Sequence, residues 1–270
     1  MDKISANLAI NGRQIAMTFD RASPVHRAML SELQNKGGYE LASQLFLMRA
    51  LRSGDTFVDI GAHIGYFTML GAAVVGDGGG VVAIEPIEEN FQQLTSHIDA
   101  NEMANVDAVK TVISDNDGET DIFFNADNDG GHALWDPGNH PANELTRQNP
   151  RVDQVASRRL TSLLAERGID RVRLMKIDTE GAEAAILEDS RDFLAAGHVE
   201  FAILEVNASG LRHMGYDVDG FFALIRDLGY IICLPQDDGA PPVLLARDNR
   251  PDPGYVYNII LARPEALDSL

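Results

Sequence analysis

Apolar and polar residues alternate from Ile4 to Phe19 on either side of Asn11-Gly12. A period of two marks half-buried strands, and Asn-Gly suits the two φ > 0 positions of a type I′ turn, so this segment predicts a hairpin. From Val25 to Leu51 the period lengthens. Leu41, Leu45, Met48 and Leu51 recur every three or four residues, which predicts helix up to the break at Ser53-Gly54-Asp55. Short apolar runs then alternate with amphipathic stretches. Thr56–Ile60, Val81–Glu85, Val106–Ile113, Thr120–Phe124, Val172–Ile177, Phe201–Val206, Tyr230–Leu234 and Tyr255–Ala262 read as strands. Tyr66–Val75 reads as a buried helix, and Glu88–Ala100 as a helix with Phe91, Leu94 and Ile98 on one face. Apolar strands separated by helices predict a parallel sheet covered on both faces, with right-handed connections.

One segment breaks the rhythm. Asn125 to Pro150 is rich in Asn, Asp, Gly, His and Pro, with Trp135 in its middle. Unstructured loops beyond about 12–15 residues are uncommon and are usually functional or disordered. A tolerated surface insertion is one reading. The only tryptophan of the chain, flanked by His132 and His140, favours the other, a lid over a substrate.

Composition narrows the class. The 270 residues are 45% hydrophobic and 23% charged, an ordinary globular balance. Lys and Arg number 22 against 41 Asp and Glu, a formal charge of −19. So acidic a chain repels a phosphate backbone, and it has no basic cluster to bind nucleic acid. No apolar stretch reaches the roughly 18–20 residues of a bilayer span, and Met1-Asp2-Lys3-Ile4 does not open a secretory signal. The single cysteine, Cys233, lies in an apolar run, which suits a reducing compartment. The expectation is a cytoplasmic soluble protein.

The candidate chemistry lies at strand ends. Phe57-Val58-Asp59-Ile60-Gly61-Ala62-His63-Ile64-Gly65-Tyr66 runs from a strand through a glycine turn into a helix. Gly61 permits a tight turn, and Gly65 is expected to let the backbone approach a ligand. Glu85 ends the next strand, where an acid accepts hydrogen bonds from a ribose diol. Gly61, Glu85, Asp178 and Glu205 should converge outside the carboxyl ends of the strands. With Ala62, His63 and Ile64 between the two glycines, the turn lacks the third glycine of G-x-G-x-x-G and suits a ligand without pyrophosphate. S-adenosylmethionine fits it better than NAD. In Lys176-Ile177-Asp178-Thr179-Glu180-Gly181-Ala182-Glu183 another strand ends in an acidic glycine turn. Thr179 or Asp178 could cap the following helix and Glu183 could face its dipole, yet that leaves a carboxylate over. Neighbouring parallel strands lie about 4.8 Å apart, so Glu205 could come near Asp178.

Asp59-Ile60-Gly61-Ala62, Glu85-Pro86 and above all Lys176–Glu183 resemble the FkbM family of S-adenosylmethionine-dependent methyltransferases, over roughly Gly54 to Asn207. The resemblance implies O-methylation of sugar or polyketide hydroxyls. It implies that Asp59, Gly61, Ala62, His63, Gly65 and Tyr66 cradle the methionine part of the cofactor, that Glu85 holds the ribose, and that Ser114 and Asp115 flank the adenine. The family usually has Asn where this chain has His63. The insertion of residues 125–150 lies outside the core pattern.

The expected fold is α/β: a class I methyltransferase, Rossmann-like, with a mostly parallel seven-stranded sheet, an antiparallel last strand and helices on both faces. Residues 1–52 would form a hairpin and helical extension beside the cofactor entrance, and 53–270 the catalytic domain. Trp135, His140, Glu180 and His213 are candidates for the acceptor site. His132 and Asp178, then Glu205, are candidates for the base, with holding the cofactor's amino group as the alternative role of Asp178 or Glu205. His26, His97 and His198 are expected to be surface or capping residues. No zinc spacing is present, and Mg²⁺ held by Asp178 and Glu205 is possible but not favoured. The rival readings are an NAD-dependent oxidoreductase and a non-catalytic S-adenosylmethionine-binding protein.

Overall fold

The computed structural model describes residues 3–246, 250–252 and 254–270. The chain opens with the antiparallel hairpin β1 (Lys3–Ile10) and β2 (Arg13–Asp20). Asn11 and Gly12 adopt φ of 48° and 80°, the backbone that a type I′ turn requires. Leu8, Ile10, Ile15, Met17 and Phe19 form its buried side. The stretch expected as one helix is two, α1 (Pro24–Lys36) and α2 (Leu41–Ala50). Gly37 at φ 83° stops the first, and Glu40 at φ 45° opens the second.

There follow β3 (Thr56–Ile60), α3 (Tyr66–Val75), β4 (Gly80–Ile84), α4 (Glu88–Ala100), β5 (Val106–Val109), β6 (Val112–Ile113) and β7 (Gly118–Phe123). Then come α5 (Glu144–Gln148), β8 (Val152–Arg158), α6 (Leu160–Glu166), β9 (Val172–Ile177), α7 (Glu183–Asp189), α8 (Arg191–Ala195) and β10 (Val199–Val206). The chain closes with α9 (Ala208–His213), α10 (Val218–Asp227), β11 (Ile231–Leu234), β12 (Val243–Leu244) and β13 (Tyr257–Ala262).

The main sheet has the order β12-β11-β13-β10-β9-β3-β4-β5. It is the expected seven strands with the two-residue β12 added at one edge, and β13 runs antiparallel to β10 and β11. The chain winds outward from β3 through β4 to β5, then returns to place β9 on the other side of β3. Between β3 and β9 lies the switch point at whose carboxyl end ligands bind in such sheets.

Two strand expectations change. Val106–Ile113 is broken after Val109, and β6 joins a second sheet of order β6-β8-β7. The strand expected at Thr120–Phe124 is β7 of that sheet, and β8 was not expected at all. The insertion of residues 125–150 is ordered. Asn125 Oδ1 accepts the N–H groups of Asp127 and Asn128 at 3.0 and 3.1 Å, and the Thr146 hydroxyl donates to it at 3.0 Å.

Apolar layers cover both faces of the sheet. Leu163, Leu187, Phe221 and Ile225 belong to one. Met17, Phe19, Met29, Leu47, Met69 and Leu70 belong to the other, so residues 1–52 share their core with the sheet. Two of the three histidines expected as surface or capping residues are buried. His97 is buried: its Nε2 accepts the Thr18 N–H at 2.9 Å, and its Nδ1 lies 2.8 Å from the Ile64 carbonyl. It ties the hairpin to the turn before α3. His26 is also buried, and His198 stacks on Phe193 at 4.8 Å. Cys233 is buried. Among the described residues no helix is long and apolar enough to cross a membrane.

Candidate active site

The glycine turn after β3 is shaped by close packing. The N–H groups of Gly61 and Ala62 donate to the Ile84 carbonyl at 3.0 and 2.9 Å, carrying the chain across the end of β4. Gly61 has φ 82° and lines the cavity. Gly65, at φ 87° and expected beside a ligand, is not among the residues that line the cavity. It opens α3, and a β-carbon there would lie 2.5 Å from Leu94 Cδ1 of α4, so the missing side chain serves helix packing.

The turn encloses a cavity of about 680 Å³ at the carboxyl ends of β3, β4, β9 and β10, within the usual size of small-molecule sites. Asp59, Gly61, Ala62, His63, Tyr66 and Glu85 line it. Buried Asp59 accepts from the Thr68 hydroxyl at 2.6 Å, and burial raises its pKa. The Tyr66 hydroxyl donates to Gln44 Oε1 at 2.5 Å and accepts from Tyr39 N–H at 3.0 Å. Glu85 accepts the N–H groups of His63 at 2.8 Å and Ile87 at 2.9 Å. Burial nevertheless pushes its pKa up to about 7. The Asn90 side chain also hydrogen-bonds Glu85, and the carboxylate, with about four acceptor sites, keeps capacity for a ligand hydroxyl. Ser114 and Asp115 lie outside the cavity, whose wall at that point is Thr111, Val112 and Ile113. The reason is the break after β5: Ser114 turns its hydroxyl to Ser157 in the second sheet, at 2.5 Å.

Three carboxylates act on one buried lysine at the other end. Lys176 on β9 donates to Asp178 Oδ2 at 2.5 Å and lies 4.7 Å from the centre of the Phe67 ring. Burial acts to lower its pKa, but Asp178, Glu40 and Asp59 together raise it, so it stays charged. Leu204 of β10 pairs with Ile177 of β9, which makes Glu205 and Asp178 neighbours one step further on. Glu205 is raised well above the usual carboxylate range by burial, then by Glu180, Asp178, Glu183 and Glu40. Its buried Oε2 has no hydrogen-bond partner.

Glu180 is pushed up to about 8 by burial and by Asp178 and Glu183, and accepts from Asn207 Nδ2 at 2.8 Å. Glu183 has a different job. Fully buried, it accepts from the N–H of Thr179 at 2.8 Å, its hydroxyl at 3.0 Å and the N–H of Gly181 at 3.3 Å, closing the turn before α7. Neither Thr179 nor Asp178 caps that helix; Ala182 occupies the cap position.

The insertion covers the cavity and supplies His132, Trp135 and His140 to its wall. Trp135 Nε1 donates to the Glu180 carbonyl at 2.7 Å, pinning the insertion to the acidic turn. His213 does not line the cavity. Its ring stacks on Trp135 with centroids 4.2 Å apart, backing the indole from the outer side. His132 Nδ1 accepts the Asn125 N–H at 2.9 Å, so the neutral ring carries its proton on Nε2 and acts as a donor. Burial lowers its pKa to about 4.

Several lining residues escaped sequence reasoning. Lys176 was visible as a charge inside the apolar run Leu174-Met175-Lys176-Ile177. Asn207 was visible as a helix cap, since its side chain accepts from the N–H groups of Ser209 and Gly210. Tyr39 and Glu40 reach the cavity from the link between α1 and α2, and nothing local marks them.

Strand order, glycine turn and acid-lined cavity define a class I methyltransferase. The family model of the methyltransferase FkbM domain matches residues 59–232, and the chain belongs to that family of S-adenosylmethionine-dependent methyltransferases. It is 26% identical over 209 residues to Methyltransferase 1 of Beauveria bassiana (strain ARSEF 2860), covering 70% of this chain and 78% of the relative. The solved methyltransferase FkbM from Methylobacillus flagellatus KT is 18% identical, over 78% of this chain and 44% of that one, with a TM-score of 0.43. The SAM-dependent O-methyltransferase from Thermotoga maritima is 13% identical, over 96% of this chain and 77% of that one, with a TM-score of 0.43. Family membership sets aside the dehydrogenase and non-catalytic readings. The residues present fit the cofactor: the unpartnered Glu205 oxygen and its acidic neighbours suit a cation, and Glu85 is placed for a diol.

Proposed function

We propose that the enzyme methylates a hydroxyl oxygen of a small molecule of sugar or polyketide type. The observation that carries this reading is Glu205, a buried carboxyl group on a rigid strand end with one oxygen unpartnered beside Asp178. An O–H nucleophile must lose its proton as the new bond forms, and a positioned carboxylate can take it. When bound, S-adenosylmethionine supplies an electrophilic methyl group on a sulfonium cation. Positive charge in the cavity favours ionised Glu205 and Glu180, which burial and mutual repulsion otherwise hold protonated.

In this reading Glu85 receives the ribose hydroxyls and the turn from Asp59 to Tyr66 receives the methionine portion. Lys176 fixes Asp178 through their ion pair. Glu205 takes the acceptor's proton, with Asp178 beside it as the alternative. His132, with its proton on Nε2, donates to an acceptor oxygen, while Trp135 and His140 contact the rest of that molecule. His213 acts only through Trp135. Alignment of the two bound reactants contributes much of the rate. The charge of −19 keeps nucleic acid out, and the lone buried thiol of Cys233 suits the cytoplasm.

The test is incubation with isotopically methyl-labelled S-adenosylmethionine and a panel of hydroxylated, amine and thiol acceptors, with products identified by mass spectrometry and NMR. Methyl ethers are expected. Transfer to nitrogen or sulfur alone overturns the hydroxyl assignment.

A further inference from the structure

Three side chains to which the proposed proton transfer gives no role meet at one corner of the cavity, one of them, His63, from the turn that receives the cofactor. His26 comes from the first turn of α1, His63 from the glycine turn after β3, and Asp129 from the insertion. One ligand atom from each lies within 4.8 Å of the other two. The two rings pack edge to face with centroids 5.4 Å apart. His26 Nε2 and both ring nitrogens of His63 are buried without a hydrogen-bond partner. Asp129 Oδ2 lies 3.9 Å from His26 Nε2, too far for a hydrogen bond. Buried polar atoms are rarely left orphaned, and here three converge on one carboxylate.

We propose that His26, His63 and Asp129 form a binding site for a divalent transition-metal ion of the Zn²⁺ type. Two imidazole nitrogens and one carboxylate oxygen are a donor set for such ions, and a poor one for Mg²⁺, which prefers six oxygens. Ligand distances of about 2.0–2.2 Å place tetrahedral donors about 3.3 Å apart. The present spread of up to 4.8 Å therefore has to close by roughly 1.5 Å, within reach of side-chain rotation and a small movement of the insertion. His63 and Asp129 line the cavity, so the remaining coordination position opens onto it, for water or an oxygen of a bound molecule.

One hydrogen bond must change. His26 Nδ1 now accepts the Asp20 N–H at 2.9 Å, which in a neutral ring puts the proton on Nε2. Metal binding at Nε2 moves that proton to Nδ1 and gives up this bond. The Asp20 carboxylate, one of the charges acting on His26, is then the candidate acceptor for the Nδ1 proton, as carboxylates are behind many metal-bound histidines. The ion would tie three separate segments together: the N-terminal extension, the cofactor turn and the insertion.

The test uses full-length, tag-free protein dialysed against a chelator and then titrated with Zn²⁺ or Mg²⁺ alone by calorimetry. One Zn²⁺ per chain, a raised Tm and no comparable response to Mg²⁺ are expected. His63→Asn and Asp129→Asn should each weaken Zn²⁺ binding at least about tenfold. Asn tolerates the φ of 51° at position 63, and position 129 lies in the insertion, so both variants are chosen to fold. Co²⁺ added to the wild type gives a reading independent of any variant: intense visible bands of a low-coordinate nitrogen and oxygen site. No Zn²⁺ binding, as expected if water bridges the three groups, overturns the proposal. So does binding that both substitutions leave unchanged, or a Co²⁺ spectrum no different from the hydrated ion.

Discussion

A β-carbon at Gly61 would stand 1.9 Å from the carbonyl oxygen of Asp178. The ends of β3 and β9 therefore meet backbone to backbone, and the two motifs at either side of the switch point form one construction. The contact is fixed by pairing: Asp178 N–H donates to the Ile60 carbonyl at 3.0 Å, directly before the glycine. Gly61→Ala meets both that clash and a φ of 82°. The expected loss is about 2–5 kcal/mol, from the left-handed backbone and from overpacking. Urea denaturation of the two proteins measures it, and a change below about 1 kcal/mol would show that the two strand ends can separate cheaply.

The acidic end wall predicts a pH signature. Glu180 is pushed up to about 8 and Glu183 to about 7, with Glu205 raised further from its ordinary value, by burial and by one another together with Asp178 and Glu40, while Lys176 pulls Glu180 back. A folded pKa above the unfolded one, about 4.3, means that the native state holds the proton more tightly. That stabilisation is complete below about pH 4 and is lost as pH rises through about 7 to 8. The ligand-free enzyme should thus have a lower Tm at pH 8.5 than at pH 6. A cationic cofactor reverses the preference, so its binding should release protons near pH 7 and tighten as pH rises. Calorimetry in buffers of different ionisation enthalpy reads the release directly. Glu180→Gln should diminish it, and zero linkage in the wild type contradicts the assignment.

Glu85 tests the other end of the cavity. A hydrogen bond to a charged acceptor is worth about 1.5–3 kcal/mol, so Glu85→Gln should weaken cofactor binding about 10- to 150-fold. Its bonds from His63 and Ile87 N–H make a fold control necessary, and far-UV circular dichroism provides it. A well-folded variant with unchanged Kd removes the ribose role.

Local chemistry explains what the sequence made legible. Asn11-Gly12 announces its turn because only a few residues adopt two positive φ values, and Asp59, Glu85, Asp178 and Glu205 announce themselves because each stands in or just after the last residues of an apolar strand. The same logic fails where tertiary pairing decides. Val106–Ile113 reads as one strand, yet Val112 and Ile113 pair with Ser157 and Arg158 of a second sheet. That partner, β8, has an alternating pattern too polar to stand out, with a single buried residue, Ser157. His97 looked like a surface residue on a polar helix because its partners, Thr18 and Ile64, lie far away in sequence. Metal spacing rules are equally blind to His26, His63 and Asp129, which come from three segments. His213 lies eight residues after Glu205 in the sequence, close enough to suggest the cleft, and only the fold sets it behind Trp135.

Trp135 holds the insertion closed by one directed bond and one stacked ring. Trp135→Phe keeps an aromatic surface for His213 but removes the donor to Glu180. One hydrogen bond contributes about 0.5–1.5 kcal/mol net, so the KM for the acceptor should rise about 2- to 12-fold while cofactor Kd stays constant. Faster amide exchange across residues 125–150 should accompany it. A rise in cofactor Kd of the same size would mean that the insertion orders the cofactor instead.

The identity of the base separates most clearly by titration. A histidine of ordinary pKa would give a rate rising through about pH 6–7. His132 does not meet that condition: burial takes it to about 4, and Asn125 occupies its Nδ1. It should therefore contribute no limb to the profile above pH 5, and His132→Gln should leave the shape of the pH–rate curve intact while raising the acceptor KM. Glu205→Gln removes the unpartnered oxygen and keeps the volume. Loss of general-base catalysis costs about 10²- to 10⁴-fold in kcat, with cofactor Kd little changed. Asp178→Asn is the companion variant, because its carboxylate is tied to Lys176 and should affect cofactor binding and turnover together. If Asp178→Asn loses turnover at constant cofactor affinity while Glu205→Gln does not, the proton goes to Asp178 and Glu205 holds the cofactor. If neither variant slows turnover, the proton leaves by another route.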